Sequence, residues 1–464
     1  MKLPQEFIDK YRNLLGEESD AFFTTFDQPS EKGFRINPLK SDPQKIQYAL
    51  NKPVEYTKYG YYGSVSGKSL EHQSGYVYSQ DLSAMYVAEN VTVAPKARIL
   101  DLCAAPGGKS TQVASLMNNQ GLLVSNEINH ARAKILAENV ERIGAKNVIV
   151  LNESPARLAE VFQDYFDQIL VDAPCSGEGM FRKDHQAVSY WNKDYPQQCA
   201  GRQKEILTSA YQMLAPGGSI IYSTCTFAPE EDEQVVEWLL EQYPALQIQP
   251  IKKYPGMDDG RPEFADSNSD LSDAVRLWPH HFKGDGHFIA KLTDTRPKKA
   301  AVSVKKVKKK RMNQRQSLTK EQLALWEDFS AVLTDGFHFS LADLRCYGDH
   351  LYFYQHSWPD ISHLKFMRPG LLLGQFKKKR FEPAYTLALA LQPQDCSQIL
   401  EVSHDDWAKY VHGETILAGG SSLRNGWKLL VCEGKPFAFG KLVNGTVKNF
   451  FPKGLRFEAR LLVV

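Results

Sequence analysis

Residues 97–225 alternate between short apolar runs and longer amphipathic stretches, and this rhythm restricts the fold more than any other feature of the sequence. Short apolar runs of this kind indicate strands, and the amphipathic stretches between them indicate helices. The predicted strands are ARILDLC (97–103), GLLVSNE (121–127), NVIVLN (147–152), DQILVDAP (167–174) and GSIIYSTC (218–225), with GHFIAKLTD (286–294) as a later candidate. The predicted helices include STQVASLMNN, HARAKILAENVERIG and QKEILTSAYQMLA. This alternation predicts an α/β fold with a mostly parallel, doubly wound sheet.

The chain has 464 residues, too many for one ordinary domain. Residues 1–90 mix predicted helix and strand with turn-rich stretches, so we expect a small α+β domain there. Residues 91–295 carry the alternating pattern. After a basic linker at 296–316, we expect one or two further small domains, divided as 317–392 and 393–464 if there are two, with a C-terminus that favours β-structure.

The linker is the most strongly charged part of the chain, with ten Lys or Arg and no acidic residue between Arg296 and Arg315. One interpretation is a solvated, flexible connection between domains. The other is a basic arm that binds phosphate through counterion release. Both can hold for one segment, and the sequence leaves them open.

Composition argues against several classes of protein. No apolar run reaches the ~18 residues of a membrane span, and MKLPQEFIDKYRN at the N-terminus lacks a signal-peptide core. We therefore expect a cytoplasmic protein without membrane association. The seven cysteines are odd in number and lack CxxC spacing, so neither a disulfide framework nor a metal site is expected.

The loop after the first predicted strand of the sheet, DLCAAPGGKS (101–110), has the features of a ligand-binding loop. Its small residues let a ligand approach the backbone, and the following helix begins with free amides. The loop lacks the GxGxxG fingerprint, which argues against NAD or FAD. Glu127, after the second strand, is placed to accept hydrogen bonds from ribose hydroxyls. The alternative is an ordinary surface acid at the end of a strand. Asn152 and Glu153, after the third strand, lie where an adenine contact is expected.

Two cysteines end two strands that should be neighbours: Cys175 in DAPCSGEGMFRKD and Cys225 in YSTCTFAPEEDE. A lone cysteine at a strand end is usually structural. Two cysteines in polar loops at the ligand-binding edge favour a chemical role, since both would face one cleft together with Asp172.

Two thiols and an acid suit covalent methylation of cytosine. Carbon 5 of cytosine becomes nucleophilic only after a thiolate has attacked carbon 6. A carboxyl near ring N3 can hold the base and stabilise developing charge, and a base must later remove the proton from carbon 5. The sheet alone does not decide which thiol attacks.

These motifs resemble those of the Sun-type (Nol1/Nop2/Fmu-related) RNA 5-methylcytosine methyltransferases. The resemblance rests on DLCAAPGGKS, DAPCSGEGMFRKD, QKEILTSAYQML, APGG and YSTCTFAPEEDE in order, with FRINPLK and GYVYSQDLSAM upstream and RLWPHHFKGDGHFIAKL downstream. It implies a Rossmann-like class I methyltransferase domain that binds S-adenosyl-L-methionine. It also implies a small RNA-recognition-like domain at the N-terminus.

The resemblance further implies roles for individual residues. Cys225 would be the nucleophile, and Cys175 would assist release of the methylated base. Asp172 would lie near the reacting groups, and Glu127 would hold the ribose. The other expected cofactor contacts are Cys103, Ala104, Ala105, Pro106, Gly107, Gly108, Lys109, Asn152 and Asp172. Relatives often have an aspartate after the third strand, where this chain has NESP (152–155).

The C-terminal third resembles the RsmF-like branch of the family, which modifies small-subunit ribosomal RNA. RPGLLLGQFKKKRFEPAYTLALAL (368–391) is similar to its linking domain, and GWKLLVCEGKPFAFGKLVNGTVKNFFPKGLR (426–456) to its PUA-like RNA-binding barrel. The expected partner is small-subunit ribosomal RNA or the 30S subunit, bound by a monomer. The expected RNA contacts are Arg35, Asn37, Lys377 to Arg380, Lys448, Lys453 and Arg456, several of which are equally interpreted as solvated side chains.

Two alternatives remain beside ribosomal RNA methylation. The same chemistry on transfer RNA fits the catalytic motifs equally well. A non-catalytic RNA-binding assembly factor fits the fold, but the intact cysteines, Asp172 and glycine loop argue against a dead enzyme.

Overall fold

A computed structural model describes residues 3–40, 42–183, 185–266, 269–297, 317–334, 337–419 and 424–459. Most of the basic linker predicted at 296–316 lies outside these ranges. In the described chain no helix is both long and apolar enough to span a membrane.

The N-terminal region combines short helices with a three-stranded antiparallel sheet. Its elements are α1 (Gln5–Leu15), α2 (Ser19–Thr24), β1 (Gly33–Ile36), β2 (Gly60–Tyr62), α3 (Leu70–Gln73) and β3 (Val77–Ser79), with strand order β2-β1-β3. Helix α1 buries Phe7, Tyr11 and Leu15, which are spaced four residues apart and so share one face. This face packs into an aromatic cluster with Phe181 and Trp278, which joins the N-terminal helices to the larger domain.

The larger domain is built on a mixed sheet with a parallel centre. Its strands are β4 (Arg98–Asp101), β5 (Leu122–Asn126), β6 (Val148–Leu151), β7 (Phe166–Asp172), β8 (Leu214–Thr224), β9 (Leu246–Gln249), β10 (Asp258–Asp259), β11 (Val275–Leu277) and β12 (His287–Asp294). Its helices are α4 (Leu82–Glu89), α5 (Gly108–Leu116), α6 (His130–Arg142), α7 (Pro155–Val161), α8 (His185–Tyr190), α9 (Tyr195–Met213) and α10 (Glu233–Gln242).

The parallel centre confirms the predicted α/β class. Strands β8-β7-β4-β5-β6 lie side by side and all pair in parallel. The order reverses direction at β4, which makes its carboxyl end the switch point where α/β sheets bind ligands. The predicted strands match these five to within a few residues, while α9 begins at Tyr195 rather than at Gln203. Strand β12 pairs antiparallel with β8.

The C-terminal region forms two smaller sheets. Its elements are α11 (Lys320–Ser330), β13 (Leu344–Tyr347), β14 (His350–Phe353), β15 (Phe366–Arg368), β16 (Leu371–Lys377), β17 (Arg380–Pro383), α12 (Tyr385–Ala390), β18 (Ile399–Val402), α13 (His404–His412), β19 (Ile416–Leu417), β20 (Gly426–Cys432), β21 (Lys435–Val443) and β22 (Thr446–Lys448). Strands β13-β14-β16-β17 form one sheet, and β18-β20-β21-β22-β19 form the other.

Strand β15 was not predicted, and it ties the C-terminal region to the large sheet. It pairs antiparallel with β6, placing Phe366 opposite Leu151. At the end of β15, the buried guanidinium of Arg368 donates to the carbonyl oxygens of Val148 (2.8 Å) and Ala145 (2.6 Å). The three-residue strand carries no alternating pattern, so only its partner reveals it.

Candidate active site

The carboxyl ends of β4, β7 and β8 meet at one edge of the sheet. Asp172, at the end of β7, lies opposite Ser223 near the end of β8. Because neighbouring parallel strands run in register here, the loops that carry Cys175 and Cys225 emerge side by side. The structure therefore confirms the predicted adjacency of the two strands.

The predicted ligand-binding loop (101–110) includes the connection between β4 and α5, residues 102–107. Gly107 has φ 115° and directly precedes the first residue of α5, a conformation that favours glycine. Arg132 donates to the Ala105 carbonyl (2.7 Å), and Asn139 donates to the Pro106 carbonyl (2.7 Å). These bonds fix the backbone cradle that the loop forms beside α6, while the side chains of Ala104 and Ala105 are buried in the hydrophobic core.

Asp101, at the end of β4, is buried beneath this loop. Its Oδ2 atom accepts from Ser110 Oγ at 2.6 Å, while within the described chain Oδ1 is buried and has no hydrogen-bond partner. Burial and the negative charge of Asp172 raise the pKa of Asp101 to about 7, although the bond from Ser110 opposes the shift. A free carboxyl oxygen next to the cradle fits a ligand that carries hydrogen-bond donors.

Glu127 and Asn152 lie together at the ends of β5 and β6. Glu127 is buried, and its Oε1 atom accepts from the amide of Asn129 at 2.8 Å. Asn152 donates to the carbonyl oxygens of Glu127 (2.7 Å) and Ile128 (3.0 Å), so its amide braces the Glu127 loop. A braced carboxylate beside the cradle fits a ribose, whose two hydroxyls are donors.

Lys109 and Asp172 form an ion pair between the cradle and the thiols, with Nζ and Oδ2 2.7 Å apart. Ser223 donates to the other carboxyl oxygen of Asp172 at 2.8 Å. Burial alone would raise the pKa of Asp172, but Lys109, His287 and the hydrogen bonds hold it below its usual value. Asp172 is therefore an ionised carboxylate. Burial would lower the pKa of Lys109, and its pairing with Asp172, helped by Cys225 and Asp101, raises it.

The two cysteine sulfurs lie 3.2 Å apart, within hydrogen-bond distance for sulfur. Both side chains are half-buried. The hydrogen bond to Cys225, burial and the charge of Cys225 raise the pKa of Cys175 well above its ordinary value. Burial and the neighbouring sulfur therefore keep the Cys175 thiol protonated. Burial also raises the pKa of Cys103, whose thiol faces the acidic groups Asp101 and Asp172.

Arg35 and Asn37, expected to contact RNA, are both buried. Arg35 donates to the Gly108 carbonyl (3.1 Å) and to Thr111 Oγ1 (3.0 Å) at the start of α5. Asn37 donates to the carbonyl oxygens of Gly75 (2.8 Å) and Ile143 (2.9 Å). Their placement contradicts the expected RNA contact, because both hold the N-terminal region against the cofactor loop and α6.

The other expected RNA contacts are exposed side chains of the C-terminal region: Lys377, Lys378, Lys379, Arg380, Lys448, Lys453 and Arg456. Lys377 ends β16 and Lys448 ends β22. Arg380 pairs with Glu382 (2.7 Å), and Arg456 donates weakly to Asn449 (3.4 Å). Arg380 and Arg456 contact other residues of the C-terminal region, so a role in RNA binding would belong to that region.

Three supporting residues escaped the sequence analysis. His287 is buried, bonds to Ser83 Oγ through Nδ1 (2.8 Å), and faces Lys109 and Asp172. Glu178 and Glu231 are buried in the two cysteine loops. Both glutamates lie inside motifs that had been recognised, but their sequence context gave no sign that they are buried.

A histidine pair lies apart from the cleft. Glu18, His280 and His281 bring three potential metal donors within 4.8 Å of one another. The guanidinium of Arg261 approaches the same Glu18 oxygen to 3.2 Å. A cation therefore already pairs with this carboxylate.

Comparison with known proteins matches four stretches of the chain to family models. Residues 90–293 match the family described as 16S rRNA methyltransferase RsmB/F. Residues 3–82 match the N-terminal domain of 16S rRNA methyltransferase RsmF, residues 328–391 its first C-terminal domain, and residues 397–457 its PUA domain.

Individual relatives agree with these matches. The ribosomal RNA small subunit methyltransferase F of Shewanella oneidensis is 30% identical over 96% of this chain and 94% of its own length. That of Vibrio vulnificus is 30% identical over 98% of this chain and 97% of its own. Among solved structures, a methyltransferase homologue from Pyrococcus horikoshii is 30% identical, with a TM-score of 0.55 over 62% of this chain and 94% of its own. NSun6 from Pyrococcus horikoshii, 21% identical with a TM-score of 0.56 over 63% of this chain and 99% of its own, shares the fold.

Proposed function

Because this chain belongs to the 16S rRNA methyltransferase RsmB/F family, we propose that it methylates carbon 5 of a cytosine in small-subunit ribosomal RNA through a covalent bond to Cys225. The observation that carries the proposal is the pair of thiols 3.2 Å apart beside the Lys109–Asp172 ion pair. A non-catalytic RNA-binding protein has no need of this arrangement.

The cofactor of this family is S-adenosyl-L-methionine, and residues 103–109 with Asp101 and Glu127 would hold it. The open cradle, the free Asp101 oxygen and the braced Glu127 carboxylate fit its amino and ribose groups. Bound there, it supplies an electrophilic methyl group to the cleft. Asn152 is assigned to bracing Glu127 and lies where an adenine contact was expected.

Cys225, whose sulfur lies within hydrogen-bond distance of the Cys175 sulfur, attacks in its thiolate form, because the thiolate is the nucleophile. It adds to carbon 6 of cytosine, and the displaced π electrons load carbon 5 and ring N3. Asp172, being ionised, accepts a hydrogen bond from the cytosine amino group rather than donating to N3. The ammonium of Lys109 supplies the positive charge that stabilises the developing negative charge. Carbon 5 would then use its electron pair to bond the methyl group, and the bond between that methyl group and the cofactor's sulfur would break, leaving its electrons on the sulfur.

Cys175 completes the reaction as a base. Once Cys225 is bonded to carbon, its sulfur carries no negative charge, which removes two of the causes that raised the pKa of Cys175. Cys175 then loses its own proton to water and removes the proton from carbon 5. That electron pair restores the ring double bond and expels Cys225 as a thiolate.

Two variants test the assignment. We expect Cys225→Ala to abolish methylation of a 16S transcript while S-adenosyl-L-methionine binding stays within about twofold, because the cradle does not involve Cys225. We expect Cys175→Ala to accumulate a protein–RNA complex that survives a denaturing gel. Turnover by Cys225→Ala would refute the mechanism, and a trapped complex in Cys225→Ala in place of Cys175→Ala would reverse the two roles.

Bisulfite mapping of RNA from cells without the protein tests the substrate. Loss of 5-methylcytosine from 16S ribosomal RNA is the expected result. Loss from transfer RNA alone would assign the same chemistry to the other substrate.

A further inference from the structure

We propose that Glu178 and Glu231 are positioning residues that clamp the two cysteine loops together, each holding the segment that follows the other loop's cysteine. The inference rests on the function proposed for Cys225 and Cys175. Glu178 comes three residues after Cys175 in the chain, and Glu231 comes six residues after Cys225. Both carboxyl groups are fully buried.

Glu178 reaches from the Cys175 loop to the Cys225 loop. Its Oε2 atom accepts from Thr226 Oγ1 (2.8 Å) and from the amide of Phe227 (3.1 Å), the two residues directly after Cys225. The carboxylate is itself fixed by Trp191, whose indole N–H donates at 2.9 Å, and by the hydroxyl of Tyr11 on α1. Glu178 therefore sets the direction in which the chain leaves the nucleophile.

Glu231 reaches in the opposite direction. Its Oε2 atom accepts from the amide of Ser176, the residue after Cys175, at 3.0 Å, and from the side-chain amide of Gln203 at 2.7 Å. Gln203 also donates to the Pro174 carbonyl (3.2 Å), on the other side of Cys175. The backbone on both sides of Cys175 is therefore held by Glu231, directly at the Ser176 amide and through Gln203 at the Pro174 carbonyl.

Direct bonds between the loops complete the clamp. The hydroxyls of Ser176 and Thr226 lie 2.8 Å apart, and the amide of Gly179 donates to the Cys225 carbonyl at 2.9 Å. With both glutamates, four connections join the residues around one sulfur to those around the other. Two thiols on partly exposed loops need such a constraint to stay at hydrogen-bond distance. Without it, loop motion would displace the sulfurs by more than the reaction with a bound base tolerates.

The hydrogen-bond partners of the two glutamates indicate that these residues do more than stabilise the fold. Every hydrogen bond named for them comes from a neutral donor, and a buried carboxyl group with neutral donors costs free energy. Burial raises the pKa of Glu231 to about 8, against its bonds from Ser176 and Gln203. Two such groups in adjacent loops are better explained by the geometry they impose.

The clamp predicts opposite defects for the two glutamates. Loss of Glu178 frees the Cys225 side and should slow attack on carbon 6. Loss of Glu231 frees the Cys175 side and should slow release of the methylated base. A misplacement of about 1 Å at a reacting group costs roughly 100-fold in rate, which sets the expected size of both effects.

The experiment compares Glu178→Ala and Glu231→Ala in two backgrounds, with a 16S transcript and S-adenosyl-L-methionine. In the otherwise native protein, Glu231→Ala should accumulate the denaturant-resistant complex and Glu178→Ala should not. In the Cys175→Ala background, where complex formation reports attack alone, Glu178→Ala should slow complex formation about 100-fold. Glu231→Ala should leave that rate within about threefold, because Cys175 is already absent.

Two further variants separate positioning from folding. Glu231→Gln keeps an acceptor for the Ser176 amide and should restore most of the turnover. Asp232→Ala removes a neighbouring buried carboxyl group that bonds to Thr224 and Arg276 rather than to the Cys175 loop, so it should not trap the complex. If both alanine variants of the glutamates lose activity without any difference in complex formation, or if Asp232→Ala traps it equally, the clamp is wrong. Failure of the cysteine variants themselves would instead refute the proposed function.

Discussion

The catalytic cleft and the C-terminal basic surface (Lys377–Arg380, Lys448, Lys453 and Arg456) serve one proposed reaction in contrasting ways. In the cleft, the ionisable groups are buried or half-buried and bond to one another, as Lys109 does to Asp172. On the basic surface the side chains are exposed to water. A side chain in the cleft depends on being held at a fixed distance from its partner, whereas a surface cation attracts phosphate by its charge alone.

This contrast decides what a substitution does. Removing a side chain from the cleft leaves its partner without a hydrogen bond or counter-charge in a low dielectric. The resulting loss of activity is therefore large and specific to one step of the reaction. Removing a surface cation costs one screened attraction to phosphate, which is small and depends on salt.

Asp172→Asn should have the largest effect among the predictions that follow. The amide cannot balance the charge of Lys109, whose side chain is only 12% exposed. We expect kcat to fall by about 10²–10³-fold, the usual cost of losing one organised electrostatic group. Steady-state methylation of a 16S transcript measures it.

Asp167→Asn is the matched control for that variant. Asp167 lies on the same strand and pairs with Arg98 at 2.8 Å, but at the opposite end of β7 and with both side chains at least a third exposed. We expect kcat within about twofold of the native value and a stability loss below ~1 kcal/mol. An equal loss of activity in both variants would contradict a specific role of the Asp172 charge in the cleft.

Gly179→Ala should have the next largest effect. A Cβ at this position would lie 2.8 Å from the Asp285 carbonyl oxygen and 2.9 Å from that of Cys225, and backbone cannot yield as a flexible side chain does. We expect a loss of about 1–3 kcal/mol in the free energy of unfolding and at least a tenfold fall in kcat. Chemical denaturation and methylation assays measure the two quantities.

Gly201→Ala provides the opposite sign. Gly201 lies within α9, where an added Cβ would meet nothing within 4 Å. Alanine stabilises an exposed helix position by roughly 0.5–1 kcal/mol relative to glycine. A stabilised but fully active Gly201→Ala, beside a crippled Gly179→Ala, would tie the loss to the cysteine loops.

The same contrast explains how far the sequence could lead. The parallel centre was predictable because each of its strands is a short apolar run between amphipathic helices. The meeting of Asp172, Cys175 and Cys225 was predictable because the strands before them end at one sheet edge. These features follow from local pattern and topology.

Long-range side-chain contacts were not predictable. Arg35 sits in a motif that suggested RNA, but it is separated by 73 residues from the Gly108 carbonyl it supports. Strand β15 depends on β6, more than 200 residues earlier in the chain. In both cases the deciding partner lies far away in sequence, and no local periodicity encodes it.

The cleft should also carry part of the acid sensitivity of the protein. Burial and the nearby Lys109 charge lower the pKa of His287 to about 4, against the opposing charges of Asp172 and Asp81. A histidine with a depressed pKa contributes stability that is present above pH ~6.5 and is lost as pH falls towards 4. The native protein should lose a few kcal/mol of unfolding free energy over that window, in part through His287.

His287→Asn keeps a polar partner for Ser83 but cannot take up a proton. We expect unfolding free energies, measured by denaturant titration from pH 7 to pH 4, to fall less steeply in this variant than in the native protein. His412→Asn, on the exposed end of α13, should leave the slope unchanged. Equal slopes in all three proteins would remove His287 from the account of acid unfolding.

The smallest effect is expected on the basic surface. Replacing Arg456 by alanine should weaken binding of a 16S transcript by about two- to fivefold and lower the salt dependence by roughly one phosphate contact. Binding measured between about 50 and 200 mM salt gives both quantities.

Arg35→Ala sharpens this last comparison, since it removes the same charge from a buried position. Arg35 holds the start of α5 through Gly108 and Thr111, so its loss should weaken S-adenosyl-L-methionine binding and leave the salt dependence of RNA binding unchanged. If Arg35→Ala instead lowered the salt dependence as Arg456→Ala does, the buried arginine would lie on the RNA path after all. The distinction between buried side chains with fixed partners and exposed cations that attract phosphate would then not hold for Arg35.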